Sequence, residues 1–170
     1  MKNKKVYSLV SGAVIAALYA ALTYVASSVG LAYGAVQFRF SEALTVLAAL
    51  TPAAIPGLTI GCFLANLGSP YGIVDIVCGT LATLVAAFLS YKTRNVKIKG
   101  ISVLAPLFPV ITNAIIVGAE VTAFLPEGFT LYGYLIQALW IGLGELVVCY
   151  AAGIPLLIAV EKTSLKKYIK

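Results

Sequence analysis

Apolar runs long enough to cross a lipid bilayer recur from one end of this chain to the other. A helix needs about 20 consecutive apolar residues to span the hydrocarbon core, and residues 6–29, 72–91, 101–121 and 131–160 form such runs. Hydrophobic residues make up 61% of the 170 residues and charged residues 11%, whereas soluble domains average about 45–50% and about 25%. We expect an all-α membrane protein with a single transmembrane domain over residues 1–170.

The first apolar run follows a basic N-terminus and therefore resembles a signal peptide. The run continues from Val6 to Val29, which exceeds the roughly 7–15 apolar residues of a typical signal peptide. We interpret it as a retained first span.

Basic residues cluster at three places and predict the topology. Short cytoplasmic loops of membrane proteins are enriched in Lys and Arg, so all three clusters, including both termini, are expected in the cytoplasm. The net charge of +6 comes mainly from these clusters: Lys2, Lys4 and Lys5; Lys92, Arg94, Lys97 and Lys99; Lys162, Lys166, Lys167 and Lys170.

The stretch 41–68 decides the number of spans. Two cytoplasmic clusters must be separated by an even number of crossings, so this stretch should contain two short spans, 41–55 and 57–68, with Pro56-Gly57 as the turn between them. The prediction is a bundle of six transmembrane helices. Each short half is below the length of a straight crossing.

Several classes of protein are disfavoured by what the sequence lacks. It has no histidine, and its three cysteines lie in apolar segments without metal-ligand spacing. No phosphate-binding loop or nucleophile–base motif is present, and nothing resembles a nucleic-acid recognition module. We expect no catalytic residues, no metal, no cofactor and no nucleic-acid partner.

Ionisable residues within spans are candidates for function, because burying a lone charge in hydrocarbon costs several kcal/mol. Glu145 lies in the middle of the last span, and Gln137 and Trp140 precede it at helical spacing. We expect these three side chains to share a face that binds a planar heteroaromatic ligand. The alternative is that Glu145 pairs with another polar group and Trp140 anchors the helix in the interface.

Further acids and amides gather toward the predicted outer face. Asn113 and Glu120 are two helical turns apart, and Asn66 and Asp75 flank a short turn. Asn113 and Glu120, together with Gln137, Trp140 and Glu145, would line an outward-facing pocket. Such a pocket favours a cationic or donor-rich ligand.

Arg39 and Glu42 flank Ser41, a candidate helix N-cap. They form either a structural pair at the helix start or part of a loop that covers the pocket.

Small residues recur at intervals of four in the first span. One row contains Ala13, Ala17 and Ala21, and another contains Ala16 and Ala20. Small residues at this spacing allow close helix approach. The rows predict either packing within the chain or a docking surface for a partner protein.

The sequence resembles a known family in one long segment. Residues 37–45 (QFRFSEALT), 51–57 (TPAAIPG) and 61–66 (GCFLAN) are similar to QueT-type S components, the substrate-binding subunits of energy-coupling factor (ECF) transporters assigned to queuosine precursors. The similarity extends over the whole chain.

This resemblance implies a six-helix S component in the bacterial cytoplasmic membrane. Its alanine rows would dock on a transmembrane coupling protein of the EcfT type, and two ATPase subunits of the EcfA type would power the complex. The implied ligand is an aminomethyl-deazaguanine or queuine, whose flat donor edge and cationic amine call for two separate acids. Glu145 and Glu120 are the candidates.

Other functions remain open from the residues. A self-sufficient secondary transporter could use Glu145 or Glu120 to carry a proton, although no internal inverted repeat is evident. A scaffold without a ligand would bind no small molecule, and a membrane enzyme is the least favoured reading.

Overall fold

The computed structural model describes residues 4–34 and 36–163, and these residues are almost entirely helical. Six α-helices follow in chain order, with a 3₁₀ helix after the first and a π-helical turn before the last. They are α1 (Lys4–Ser28), the 3₁₀ helix (Phe40–Ala49), α2 (Ala54–Asn66), α3 (Ile73–Lys92), α4 (Leu107–Ala123), α5 (Leu131–Val148), the π turn (Cys149–Gly153) and α6 (Ile154–Lys162).

Three segments are apolar and long enough to cross a bilayer: Lys4–Ser28, Ile73–Lys92 and the continuous helix Leu131–Lys162. The 3₁₀ helix, α2 and α4 are also apolar but shorter. The prediction of an all-α membrane protein is confirmed at this level. At about 1.5 Å per residue, the 13 residues of α2 reach roughly 20 Å, less than the roughly 30 Å of hydrocarbon.

Helices α1 to α5 pack against one another in chain order, and the 3₁₀ helix fills the space between them. Nine of its ten residues are buried, and it contacts α1, α2, α3, α5 and α6. Its apolar side chains, including Leu44 and Leu47, join Ile15, Tyr19 and Leu58 in the main core. The 3₁₀ helix therefore carries its first-turn residues into the interior of the bundle.

The backbones of α1 and α2 are in direct contact because small residues face each other. An ideal Cβ on Gly57 would lie 2.6 Å from the carbonyl oxygen of Gly12, and one on Gly61 would lie 2.8 Å from that of Ala16. Both distances are shorter than real Cβ contacts allow. Gly57 and Gly61 form a GxxxG spacing, which permits this kind of close helix pair in membranes.

Two local predictions between residues 39 and 57 are wrong. Pro56-Gly57 is not a turn, since α2 begins at Ala54 and Pro56 lies in its first turn, where a missing N–H is tolerated. Ser41 is not the N-cap, because the 3₁₀ helix begins at Phe40 with Arg39 at its N-cap. The Ser41 hydroxyl instead accepts a hydrogen bond from Thr23 at 2.7 Å.

An ion pair joins the loop that contains the middle basic cluster to α6. Lys97 forms an ion pair with Glu161 at 3.0 Å, and Ile98 pairs with Ile101 in a short bridge. Helix α4 begins only at Leu107, six residues after the start predicted for that span. Lys2, Lys166, Lys167 and Lys170 lie outside the described residues, as do the ends of the chain.

Candidate ligand-binding site

Polar side chains of five α-helices, the 3₁₀ helix and one loop converge inside the bundle. In a membrane protein such side chains face the interior or a cavity and mark functional sites. Those that are at most 4% exposed and belong to this cluster are Tyr19, Arg39, Glu42, Asn66, Asp75, Thr83, Asn113, Glu120 and Glu145.

The central pair of acids, Glu42 and Glu145, is held by neutral donors. Tyr19 donates its hydroxyl to Oε1 of Glu42, and Thr83 donates to the same oxygen at 3.4 Å. Asn113 donates its amide to Oε1 of Glu145 at 3.1 Å, which fits the alternative that Glu145 pairs with another polar group. Both acids are completely buried, so these donors replace water as their hydrogen-bond partners.

The end pair of acids, Asp75 and Glu120, lies closer to the turns at one end of the bundle. Asp75 belongs to the first turn of α3, and Glu120 to the last turn of α4. The two carboxylates are near enough to interact electrostatically. Tyr71, in the turn before α3, also interacts with both acids, and its ring lies 5.3 Å from that of Phe124.

Arg39 is the one buried basic side chain among the described residues, and it connects the two pairs. Its guanidinium donates to Oδ1 of Asn66 at 2.5 Å, and the Asn66 amide donates to the backbone carbonyl of Asp75 at 2.8 Å. Arg39 also interacts electrostatically with Glu42, Asp75, Glu120 and Glu145. One guanidinium therefore lies within electrostatic range of four carboxyl groups without an ion pair to any of them.

Contacts of Tyr33 hold the loop that contains Arg39 over the cluster. Tyr33 donates its hydroxyl to the carbonyl of Ala65 at 2.9 Å, and its ring lies 5.6 Å from the Arg39 guanidinium carbon. Burial raises the pKa of Tyr33 to about 12, so this phenol remains a donor at neutral pH. Gly144 has no side chain to obstruct the carbonyl of Gln37, which allows the loop to approach α5 beside Glu145.

Several buried polar atoms have no hydrogen-bond partner in the described part of the chain. Four of them are carboxylate oxygens, and leaving such an atom unpaired costs about 1–3 kcal/mol or more. A ligand that supplies several donors and one acceptor would satisfy most of them. They are Glu42 Oε2, Asp75 Oδ1, both Glu120 oxygens, Thr80 Oγ1, Gln137 Oε1 and Arg39 Nε.

The structure brings most of the predicted site residues together, but not all. Seven of them belong to the buried cluster: Arg39, Glu42, Asn66, Asp75, Asn113, Glu120 and Glu145. Gln137 is partly buried with an unpaired oxygen. Trp140 is 46% exposed whereas Glu145 is fully buried, so the two do not share one buried face. A five-residue separation turns them about 140° apart around an α-helix.

Arg39 lies in the loop that covers the cluster, whereas Glu42 belongs to the 3₁₀ helix, so the predicted covering loop contains only one of the two residues. No direct ion pair joins them within 4 Å, since Lys97–Glu161 is the one such pair in the part of the chain that is described. They contribute instead to the same polar cluster from the loop and the 3₁₀ helix.

Sequence reasoning missed Tyr19 and Thr83, which hold Glu42. Tyr19 is 0% exposed and Thr83 1% exposed. The available signal was the pair Tyr19 and Thr23, residues with hydroxyl groups four apart on one face of a largely apolar span.

The two alanine rows of α1 have different surroundings. Ala16 is buried against Gly61 and therefore belongs to internal packing, and Ala20 is partly covered. Ala13, Ala17 and Ala21 are exposed. Ala13 and Ala17, together with the edge of Ala16, line an open, mostly apolar groove of about 770 Å³ between α1 and α2, with Lys4 and Lys5 at one end.

Apolar helices that enclose a cluster of buried acids define a polytopic membrane protein with an internal polar site, the architecture of a solute transporter. Residues 9–162 match the family described as QueT transporter. The chain therefore belongs to the QueT transporter family.

A curated relative agrees with this membership. The "Queuosine precursor transporter QueT" of Lactococcus lactis subsp. cremoris (strain MG1363) is 42% identical over 90 residues, which cover 53% of this chain and 52% of the relative. This chain thus aligns with about half the length of that protein. No match is found among solved structures.

Proposed function

We propose that this chain is the substrate-binding subunit of an ECF-type importer that takes up a queuosine precursor with a deazaguanine base. The observation that carries this proposal is the set of unpaired oxygens on buried acids, namely Glu42, Asp75 and Glu120. A guanine-like base offers adjacent N–H donors, and an aminomethyl substituent adds a cation. Both features complement a buried site with four acids and one arginine.

The substrate assignment also draws on the relative, whose printed name describes a queuosine precursor transporter. A donor-rich ligand would donate hydrogen bonds to the unpaired oxygens, and these bonds would contribute to the free energy of binding. Affinity should therefore depend on carboxylates inside the bundle.

Energy for uptake would come from partner proteins. The sequence contains no phosphate-binding loop, so ATP would be hydrolysed by two EcfA-type subunits. An EcfT-type coupling protein would dock on the exposed row Ala13, Ala17 and Ala21, where small side chains permit close approach. In this arrangement both termini and the loop 92–99 face the cytoplasm.

The substrate assignment is tested by thermal stabilisation of the purified protein. Guanine, queuine, aminomethyl-deazaguanine, thiamine and riboflavin are compared at equal concentration. A ligand at 100 times its Kd should stabilise the folded state by about 2.7 kcal/mol. A rise in Tm with a deazaguanine is expected, and no rise with any deazaguanine would refute the assignment.

Docking is tested separately by enlarging one exposed alanine. Ala17→Leu should leave ligand binding unchanged and abolish uptake when the partners are present, because the new side chain separates α1 from the helix of the coupling protein. Ala159→Leu, at another exposed alanine on α6, is the matched control and should transport normally. Normal uptake by Ala17→Leu would show that this row is not the docking surface.

A second candidate function is a proton-coupled secondary transporter. It is favoured by Glu120, whose two buried oxygens have no partner in the described chain and could hold a proton. Uptake into vesicles that contain this chain and no ATPase subunits, driven by a pH gradient, would support it. Uptake only with the ATPase subunits and ATP would support the importer.

A further inference from the structure

We propose that the end pair, Asp75 and Glu120, is the subsite for a primary ammonium group of the ligand. This inference rests on the proposed function and adds which end of the ligand each acid pair binds. It also separates amine-bearing precursors from neutral ones, a distinction that family membership does not supply.

The end pair lacks the neutral donors that hold the central pair. Asp75 is 2% exposed and Glu120 is 4% exposed, yet Asp75 Oδ1 and both Glu120 oxygens have no partner among the described residues. The central pair, in contrast, receives hydrogen bonds from Tyr19, Thr83 and Asn113. The end pair therefore has more carboxylate oxygens without a hydrogen-bond donor than the central pair has.

An ammonium group matches this need in number and charge. It has three N–H donors and no acceptor, and three carboxylate oxygens are unpaired at the end pair. Two carboxylates that interact electrostatically also favour a cation over a neutral donor. No group of three or more His, Cys, Asp or Glu side chains that could hold a metal ion is found within the described residues.

Arg39 cannot serve as the missing cation at the end pair. Its hydrogen bond goes to Asn66 at 2.5 Å, and it forms no ion pair with Asp75 or Glu120 within 4 Å, since the one ion pair found along residues 4–34 and 36–163 is Lys97–Glu161.

If the ammonium binds here, the ring of the ligand extends toward the central pair. There, Arg39 Nε is an unpaired donor and Glu42 Oε2 is an unpaired acceptor, and the two side chains interact electrostatically. A cyclic amide, with one C=O beside one N–H, is complementary to this donor and acceptor. The guanine-like base contains such an edge.

The test compares two ligands that differ only at the substituent. The Kd values of 7-aminomethyl-7-deazaguanine and 7-cyano-7-deazaguanine are measured by titration calorimetry for the full-length protein and for three variants. Glu120→Gln and Asp75→Asn remove one carboxylate each with little change in shape. Glu127→Gln, at an exposed loop acid, is the matched control.

The wild-type protein should bind the aminomethyl ligand roughly ten- to a hundredfold more tightly than the cyano ligand, the range expected for hydrogen bonds to a charged group. Glu120→Gln and Asp75→Asn should each reduce this preference by about tenfold or more while the Kd of the cyano ligand changes little. Unchanged binding of the cyano ligand also shows that the variants are folded. Glu127→Gln should retain the full preference.

Three results would overturn the inference. One is equal affinity of the wild-type protein for the two ligands. A second is an undiminished preference in both end-pair variants. A third is a higher Tm of the ligand-free protein in sodium chloride than in choline chloride, if Glu120→Gln abolishes this difference. The occupant of the end pair would then be a metal cation. Failure of both deazaguanines to bind would instead refute the proposed function itself.

Discussion

The close contact between α1 and α2 gives a prediction whose size follows from the structure. Gly61→Ala places a Cβ 2.7 Å from the Tyr19 Cβ and 3.0 Å from the Ala16 Cα, whereas carbon atoms prefer about 3.5–4.0 Å. All three nearest atoms belong to the backbone or to a Cβ, so no flexible side chain can move aside. Helix α1 would have to shift away by a few tenths of an ångström to about 1 Å.

The expected cost of this shift is about 1–3 kcal/mol. It is offset by up to about 1 kcal/mol, because alanine favours the helix over glycine. The net loss should still be measurable, since the shift also strains the hydrogen bond from Tyr19 to Glu42. Gly142→Ala is the matched control: its Cβ meets only Ala114 Cβ at 3.4 Å, so stability should stay the same or rise slightly.

A thiol-reactive fluorescent dye can follow thermal unfolding of the two variants in detergent. Cys62 and Cys149 are buried and react when the bundle opens. Gly61→Ala should lower the apparent Tm by several degrees, and Gly142→Ala should not. Equal Tm values for Gly61→Ala and the wild-type protein would contradict the backbone contact between α1 and α2.

Three further predictions concern the polar cluster. Tyr19→Phe should destabilise the protein by about 1–3 kcal/mol in the same assay, because Oε1 of Glu42 would keep only Thr83, at 3.4 Å. Glu145→Gln should weaken binding of aminomethyl-deazaguanine by about tenfold or more in a titration without preventing folding, since it replaces a carboxyl acceptor with an amide donor and preserves shape. Gly79→Ala should lower the Tm by an amount equivalent to about 1–3 kcal/mol and weaken ligand binding, because its Cβ would lie 2.8 Å from Asp75 Oδ1 and against the Asn66 amide.

Each of these predictions has a contradicting result. A Tyr19→Phe variant as stable as the wild-type protein would show that the Tyr19 hydroxyl does not stabilise Glu42. Unchanged affinity in Glu145→Gln would place the ligand away from the central pair. A Gly79→Ala variant with normal Tm and affinity would mean that Asn66 and Asp75 are not confined as the distances indicate.

The sequence by itself determined that the chain is an all-helical membrane protein and which acids are functional candidates. Long apolar runs have few alternatives in a bilayer, because every backbone polar group must be paired within a helix. For the same reason, a carboxyl group within such a run, like Glu145, stands out without any structure. The resemblance in residues 37–66 also sufficed to indicate the family that the comparison confirms.

Only the tertiary structure decided which polar residues meet. Residues 40–49 have the composition of a short span, but they form a buried 3₁₀ helix that brings Glu42 to the centre of the bundle. The partnership of Glu42 with Tyr19 spans 23 positions of the chain, and local spacing contains no information about such a distance. Their positions around the helix likewise leave Trp140 exposed and Glu145 buried, and Ala13 exposed and Ala16 buried. Which face of a helix points inward depends on the neighbours it packs against, and those contacts exist only in the folded bundle.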